Sequence, residues 1–150
     1  MDGDGQHSPE SLIPLVNYLV ANNADMVIGS RFIKYEGFQS TFLRRMGISF
    51  FQKLIKFLSN VEITDPTSGF RACNRSLIRL FASDYPHDYP EPETNAYVAK
   101  KGYVILELPV KMRARDTGAS SIKAFSSIYY MFKVAIASCI SCYGIKRRER

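Results

Sequence analysis

The apolar run Met26-Val27-Ile28-Gly29 constrains this chain more than any other feature, because a strand without polar alternation has to be covered on both faces. Cover is at hand on either side of it. Leu12, Ile13, Leu15, Val16, Leu19 and Val20 fall at helical spacing before the run. Phe42, Leu43, Met46, Ile48, Phe51, Leu54, Ile55 and Leu58 do so after it, in a long amphipathic pattern from Thr41 to Leu58. Helix, strand and helix in succession predict an α/β fold. A length of 150 residues fits one domain, and 46% hydrophobic with 23% charged residues excludes a collagen, a disordered tail and a disulfide-stapled miniprotein.

The boundaries follow from local chemistry. Ser8-Pro9-Glu10 reads as a helix start, with Ser8 expected to accept an orphan N–H and Glu10 opposing the dipole. Pro14 inside a helix would cost about 3 kcal/mol, so a first turn and a restart near Ser11 are predicted. Residues 30–40 are expected to form a loop, as is Thr64-Asp65-Pro66-Thr67-Ser68-Gly69-Phe70-Arg71, after which Asn74 caps a helix carrying Leu77, Ile78, Leu80 and Phe81. Pro86, Pro90 and Pro92 hold the chain in a loop until Pro92 can open the next helix. Tyr103 to Val110 predicts a second strand. Both strands are expected to expose edges suited to neighbours beyond this chain.

Three cysteines, Cys73, Cys139 and Cys142, cannot all pair within the chain, and a reducing compartment is expected. Cys139 and Cys142 form a C-x-x-C inside an apolar helical pattern, which reads as two small core or membrane-facing residues. The formal charge of +6 owes half of its excess to the tail Lys146-Arg147-Arg148-Glu149-Arg150. The remainder is too mildly basic for nucleic-acid binding. Just before that tail, Tyr129, Phe132, Ile136 and Ile140 share one helical face that Tyr130, Val134 and Ala137 widen. Lys133 interrupts the segment, so a helix lying on an anionic membrane surface is expected rather than a spanning one, with docking of the same stripe onto the protein's own core as the rival.

Asp2-Gly3-Asp4 places two carboxylates on one side of an extended chain, where a hard divalent cation can sit between them and a substrate diphosphate. Other motifs accompany it in fixed order: Gln6-His7-x-Pro9-Glu10, Gly29-Ser30-Arg31-Phe32, Asp65-Pro66-Thr67-Ser68-Gly69-Phe70-Arg71-Ala72, Tyr89-Pro90-Glu91-Pro92-Glu93, and Gly118-x-Ser120-Ser121. From Asp2 to about Lys133, these residues closely resemble the family 2 glycosyltransferases of bacterial surface-polysaccharide synthesis, including the branch similar to dolichyl-phosphate mannose synthase.

The resemblance implies the C-terminal portion of a GT-A, Rossmann-like fold, with most of the nucleotide-binding half absent. In the family a βαβαβ half of about 80 to 100 residues precedes the D-x-D. An internal Met taken as a gene start, a split gene with a separately encoded N-terminal half, or a truncation is therefore expected. Residues 1–121 would form the catalytic and acceptor-side part, and residues 122–150 an amphipathic or membrane-associated helix with a basic tail.

The implied reaction is inverting transfer from a nucleotide-sugar donor to a polyprenyl phosphate or glycan acceptor, at the cytoplasmic face of the cell membrane. The alternative is a non-catalytic remnant that binds membrane or a partner. By the resemblance, Asp2, Asp4 and Gln6 hold Mg²⁺ or Mn²⁺, and Arg31 contacts a phosphate oxygen. Arg44 and Arg115 line the acceptor phosphate and donor region, with Arg45 one residue of register from Arg44. Ser120 and Ser121 hold phosphate in a closing loop, unless they merely cap the following helix. Asp65 matches the candidate base and Glu93 the family's later carboxylate, although Asp65 can also start a turn and Glu93 oppose a helix dipole. An acceptor hydroxyl needs a base, whereas a polyprenyl phosphate is already ionised.

Overall fold

The computed structural model describes residues 8–34, 42–85, 91–111 and 124–145, the side chains of 42–44 and 124–128 excepted. Helix α1 (Leu12–Ala21) leads into strand β1 (Met26–Ser30), helix α2 (Phe42–Ser59), strand β2 (Arg71–Cys73), helix α3 (Arg75–Ser83), helix α4 (Pro92–Lys100), strand β3 (Ile105–Pro109) and helix α5 (Ala124–Cys142). The three strands form one mixed sheet in the order β2-β1-β3. β1 runs parallel to β3, with Met26 opposite Ile105 and Ile28 opposite Glu107, and antiparallel to β2, with Met26 opposite Cys73. This is a small α/β arrangement consistent with part of a GT-A domain.

Every residue of β1 is buried, as its unbroken apolar run required. On one face Val27 packs with Leu15, Leu19, Phe70 and Val110. On the other, Met26 and Ile28 join Ile55, Leu77, Val98 and Cys142, contributed by α2, α3, α4 and α5. The expectation that β1 exposes an edge is therefore corrected. It is paired on both sides, because Arg71-Ala72-Cys73, a stretch too short to show alternation, adds β2 beside it.

The helix starts follow the backbone chemistry with one correction. Residues Pro9–Ser11 form a 3₁₀ turn, and the Ser8 side chain caps nothing because the α-helix proper starts only at Leu12. That restart puts Pro14 at the third helical position, where the missing N–H would have had no intrahelical partner. α1 buries only Leu15 and Leu19, leaving Leu12, Ile13, Val16 and Val20 exposed. Asn74 caps α3 as expected, its Oδ1 accepting from Leu77 N at 2.9 Å. Its Nδ2 also donates to Asp25 Oδ1 at 2.7 Å, while Asp25 Oδ2 accepts from Val104 N at 2.8 Å. Asp25 thus ties the entry of β1 to both neighbouring strands. Pro92 opens α4, whose residues from Pro92 to Ala99 are all buried.

α5 corrects the expected assignment of its faces. Tyr129, Phe132, Ile136 and Ile140 are exposed, so this stripe does not dock on the core. Val134, expected on the same side, is fully buried, and with Ser138 and Cys142 it forms the inner face, which α5 lays on α4 and α2. Within the C-x-x-C, Cys142 is in the core and Cys139 at the surface, and burial pushes the Cys142 thiol up to about 11. Among the described residues no helix is long and apolar enough to cross a membrane.

Gly29 sits where β1 meets the chain entering β2, and a Cβ there would lie 2.6 Å from Phe70 Cδ1 and 3.1 Å from both Val110 methyls. Both neighbours are buried core side chains. Gly29→Ala is expected to lower stability by about 1–3 kcal/mol in urea denaturation. An unchanged midpoint would show that the Phe70 ring yields freely.

Candidate functional site

Parallel strands β1 and β3 end at a common rim, the side on which open α/β sheets leave a crevice for ligands. Ser30 is the last residue of β1, and its Oγ lies 2.6 Å from Thr64 Oγ1 and accepts from Phe32 N at 3.2 Å. Arg31 then turns towards the loop that follows α2. Its Nε donates to Asp65 Oδ2 at 2.6 Å, its Nη2 to Asp65 Oδ1 at 2.7 Å, and its backbone N–H to Oδ2 at 3.2 Å. Thr67 Oγ1 accepts from Nη2 at 2.9 Å and donates to Asp65 Oδ1 at 3.3 Å. The Asp65 side chain is fully buried and that of Arg31 is 7% exposed.

The loop that presents Asp65 is held from several elements. Ser68 Oγ donates to Gly29 O at 2.7 Å, and Gly29 N to Phe70 O at 2.8 Å, joining the loop to β1. Gln52 of α2 donates to Thr64 O at 2.6 Å, and Asn95 of α4 donates to Pro66 O at 3.0 Å. Glu107 of β3 accepts from Thr64 N at 2.7 Å and from Asp65 N at 2.9 Å. Burial raises the Glu107 carboxyl above its ordinary range, and these N–H donors oppose the rise.

Glu93 is the second residue of α4, buried beneath α5, with the Ser141 hydroxyl donating to its Oε1. On the same two helices, Thr94 Oγ1, Asn95 Oδ1 and Ser138 Oγ are buried with no hydrogen-bond partner among the described residues. Asn95 therefore fastens the Asp65 loop with its amide and carries an unmet acceptor on the same carboxamide.

Of the residues expected at a site, Arg31 and Asp65 come together as one buried unit, and Glu93 lies on the helix that anchors the same loop. Arg44 belongs to α2 with its side chain outside the description, while Arg45 is exposed. Asp2, Asp4, Gln6, Arg115, Ser120 and Ser121 lie outside the described residues. Among those described, no cluster of three or more His, Cys, Asp or Glu side chains is placed to hold a metal ion. Thr67 stands within the quoted motif around Asp65, whereas sequence reasoning missed Gln52, Asn95 and Glu107. A usable signal existed for Glu107 alone, as the single charged residue within the apolar strand pattern from Tyr103 to Val110. Chemically, a carboxylate with both oxygens engaged by one guanidinium is a stiff mount for that guanidinium.

A family model described as glycosyl transferase family 2 matches residues 1–81. Polyprenol monophosphomannose synthase of Mycolicibacterium smegmatis is 31% identical over 139 residues, covering 90% of this chain and 52% of that protein. Undecaprenyl-phosphate mannosyltransferase of Micrococcus luteus is 29% identical over 132 residues, 81% of this chain and 51% of that protein. A UDP-N-acetylglucosamine–dolichyl-phosphate N-acetylglucosaminyltransferase of Methanococcus voltae is 28% identical over 116 residues, 73% and 45% respectively. The chain spans about half the length of the curated relatives it matches.

Removing one member of a buried ion pair strands the other, at a cost of about 3–5 kcal/mol. Asp65→Ala and Arg31→Met are each expected to fall in that range by urea denaturation. The double variant should lose clearly less than the sum, because it leaves no charge stranded. Strict additivity would mean that the two side chains do not depend on each other.

Proposed function

The chain belongs to glycosyl transferase family 2, and from that membership we propose that it forms the acceptor-side part of an inverting glycosyltransferase of the mannose-synthase-like branch. The proposed reaction moves a sugar from a nucleotide-sugar donor to a polyprenyl phosphate. One observation carries the choice of acceptor: both oxygens of Asp65 accept hydrogen bonds from Arg31. A glycan hydroxyl would need Asp65 as a base to remove its proton, whereas a phosphate oxygen attacks the anomeric carbon as an anion. The bond from that carbon to the nucleoside diphosphate breaks on the opposite side, and no proton is moved. The names of the relatives, whose acceptors are polyprenyl or dolichyl phosphates, support the same reading.

In this reading Asp65 fixes Arg31 for contact with a phosphate oxygen, Arg44 and Arg115 line the acceptor phosphate and donor, and Ser120 and Ser121 close over them. Glu93 supports the acceptor side from the start of α4. Asp2, Asp4 and the Gln6 carbonyl make an all-oxygen donor set of the kind that suits Mg²⁺ or Mn²⁺. When bound there, the cation would neutralise charge on the leaving diphosphate. A donor-binding half, in the same polypeptide or separately encoded, is the proposed partner. The exposed apolar side chains Leu12, Ile13, Val16 and Val20 of α1 support such a contact.

Residues 1–121 are proposed as the catalytic part, and residues 122–150 as the part that rests on the anionic cytoplasmic face of a membrane. The exposed stripe Tyr129, Phe132, Ile136 and Ile140 supports this, as does the basic tail, each cation adding about 1 kcal/mol near an anionic leaflet. Met46, Phe50 and Phe57 add exposed apolar side chains on α2, which packs beside α5.

Titration calorimetry with UDP, GDP and dTDP, each with and without Mn²⁺, tests the donor side. With the donor-binding half supplied, one nucleotide should bind in a Mn²⁺-dependent way, and Asp2→Asn with Asp4→Asn should abolish it. Undiminished Mn²⁺-dependent binding by that double variant would overturn the D-x-D assignment. On the membrane side, removal of residues 128–150 would strip Val134 and Cys142 from the core, so substitution of the outer stripe is the cleaner test. Phe132→Ser, Ile136→Ser and Ile140→Ser together should release the protein from phosphatidylglycerol vesicles without changing its far-UV circular dichroism. Unchanged co-sedimentation would show the membrane assignment to be wrong.

A further inference from the structure

Asp65 sits in a loop, yet its carboxylate meets Arg31 in a two-pronged geometry that tolerates little displacement. Something stiffer than the loop has to set its position. The Thr64 and Asp65 N–H groups donate to no backbone carbonyl among the described residues. Instead both donate to Glu107, one to each carboxylate oxygen, at 2.7 and 2.9 Å. Gripping two successive amides holds the peptide planes on both sides of Thr64, and with them the point at which the backbone enters Asp65.

Glu107 is well suited to that task. It lies in the middle of β3, opposite Ile28 in the parallel ladder, and β1 is the strand that delivers Arg31. Both halves of the ion pair are thereby referenced to one rigid ladder, Arg31 through β1 directly and Asp65 through β3 and Glu107. Even a partly buried carboxylate in a strand is costly unless its oxygens are occupied, which is what the two amides accomplish.

We propose that Glu107 is a positioning residue that sets the Asp65 backbone so that Asp65 can hold Arg31 for contact with a phosphate oxygen. Its relevance to transfer rests on the functional reading above, but its action on the pair does not. Glu107→Gln keeps the size of the side chain and replaces one acceptor oxygen with an NH₂ that cannot accept, so one amide is left facing a donor.

Amide hydrogen exchange by NMR on the whole chain tests this. In Glu107→Gln, the Thr64 or Asp65 amide should exchange about tenfold faster, and the Arg31 Nε–H resonance should shift towards that of Asp65→Asn. The Val27 amide of β1 should keep its protection. A purely structural role would speed exchange at Val27 and the loop together, and that result overturns the proposal. So does a loop and an Arg31 Nε–H left unaltered in a folded variant. Should Glu107→Gln fail to fold, the unsubstituted protein decides, since rapid exchange of both the Thr64 and Asp65 amides would show that Glu107 does not hold them, and slow exchange would support it. No turnover is read, so failure here leaves the transfer reading standing, and failure of nucleotide binding leaves the Glu107 assignment standing.

Discussion

The ion pair between Arg31 and Asp65 is the contact on which the rest of the site depends. It joins residues 34 apart in sequence and is almost entirely removed from water. Taking two charges out of water is costly, and mutual attraction repays the cost only when the geometry is good and the remaining lone pairs are satisfied. Here they are satisfied, by the Arg31 backbone N–H and the Thr67 hydroxyl. Such a pair specifies one arrangement of the rim rather than adding greatly to stability, because any displacement of the loop strands a charge.

From that pair the constraints run outward through three elements. Gln52 brings in α2, Asn95 brings in α4, and Glu107 brings in β3. The loop after α2 is therefore irregular in conformation but not loose. At the opposite end of β1, Asp25 ties the strand to the start of α3 and to Val104. Polar side chains thus hold the sheet at its two ends, while apolar contacts hold its two faces.

The outer layer shows a different balance. α5 turns its small and polar residues Ser138, Ser141 and Cys142 inward and several of its largest apolar residues outward. An exposed stripe of that size is unusual for a surface that meets only water. Its inner face meets the buried Glu93 through Ser141, so the helix that carries the stripe is fastened to the helix that anchors the Asp65 loop. A membrane-bound stripe would in this way hold the rim at a set orientation to the lipid surface.

The types and approximate positions of the elements were legible in the residues, because they are decided by short-range chemistry. The apolar run of β1 demanded burial, Pro92 opened α4, Asn74 capped α3, and the restart after Ser11 accommodated Pro14. The order of the motifs likewise marked Arg31, Asp65 and Glu93 as candidates. Which of them touch was decided only by the tertiary structure. The register of β1 against β3 brings Glu107 under the loop, three residues of β2 become a strand only by pairing with β1, and the face of α5 that is covered depends on where α4 lies. Periodicity shows that a helix has two faces, but neither periodicity nor propensity contains the neighbour that selects one of them. Partner choice between residues far apart in the chain therefore belonged to the fold, and the identity of every element but β2 to the sequence.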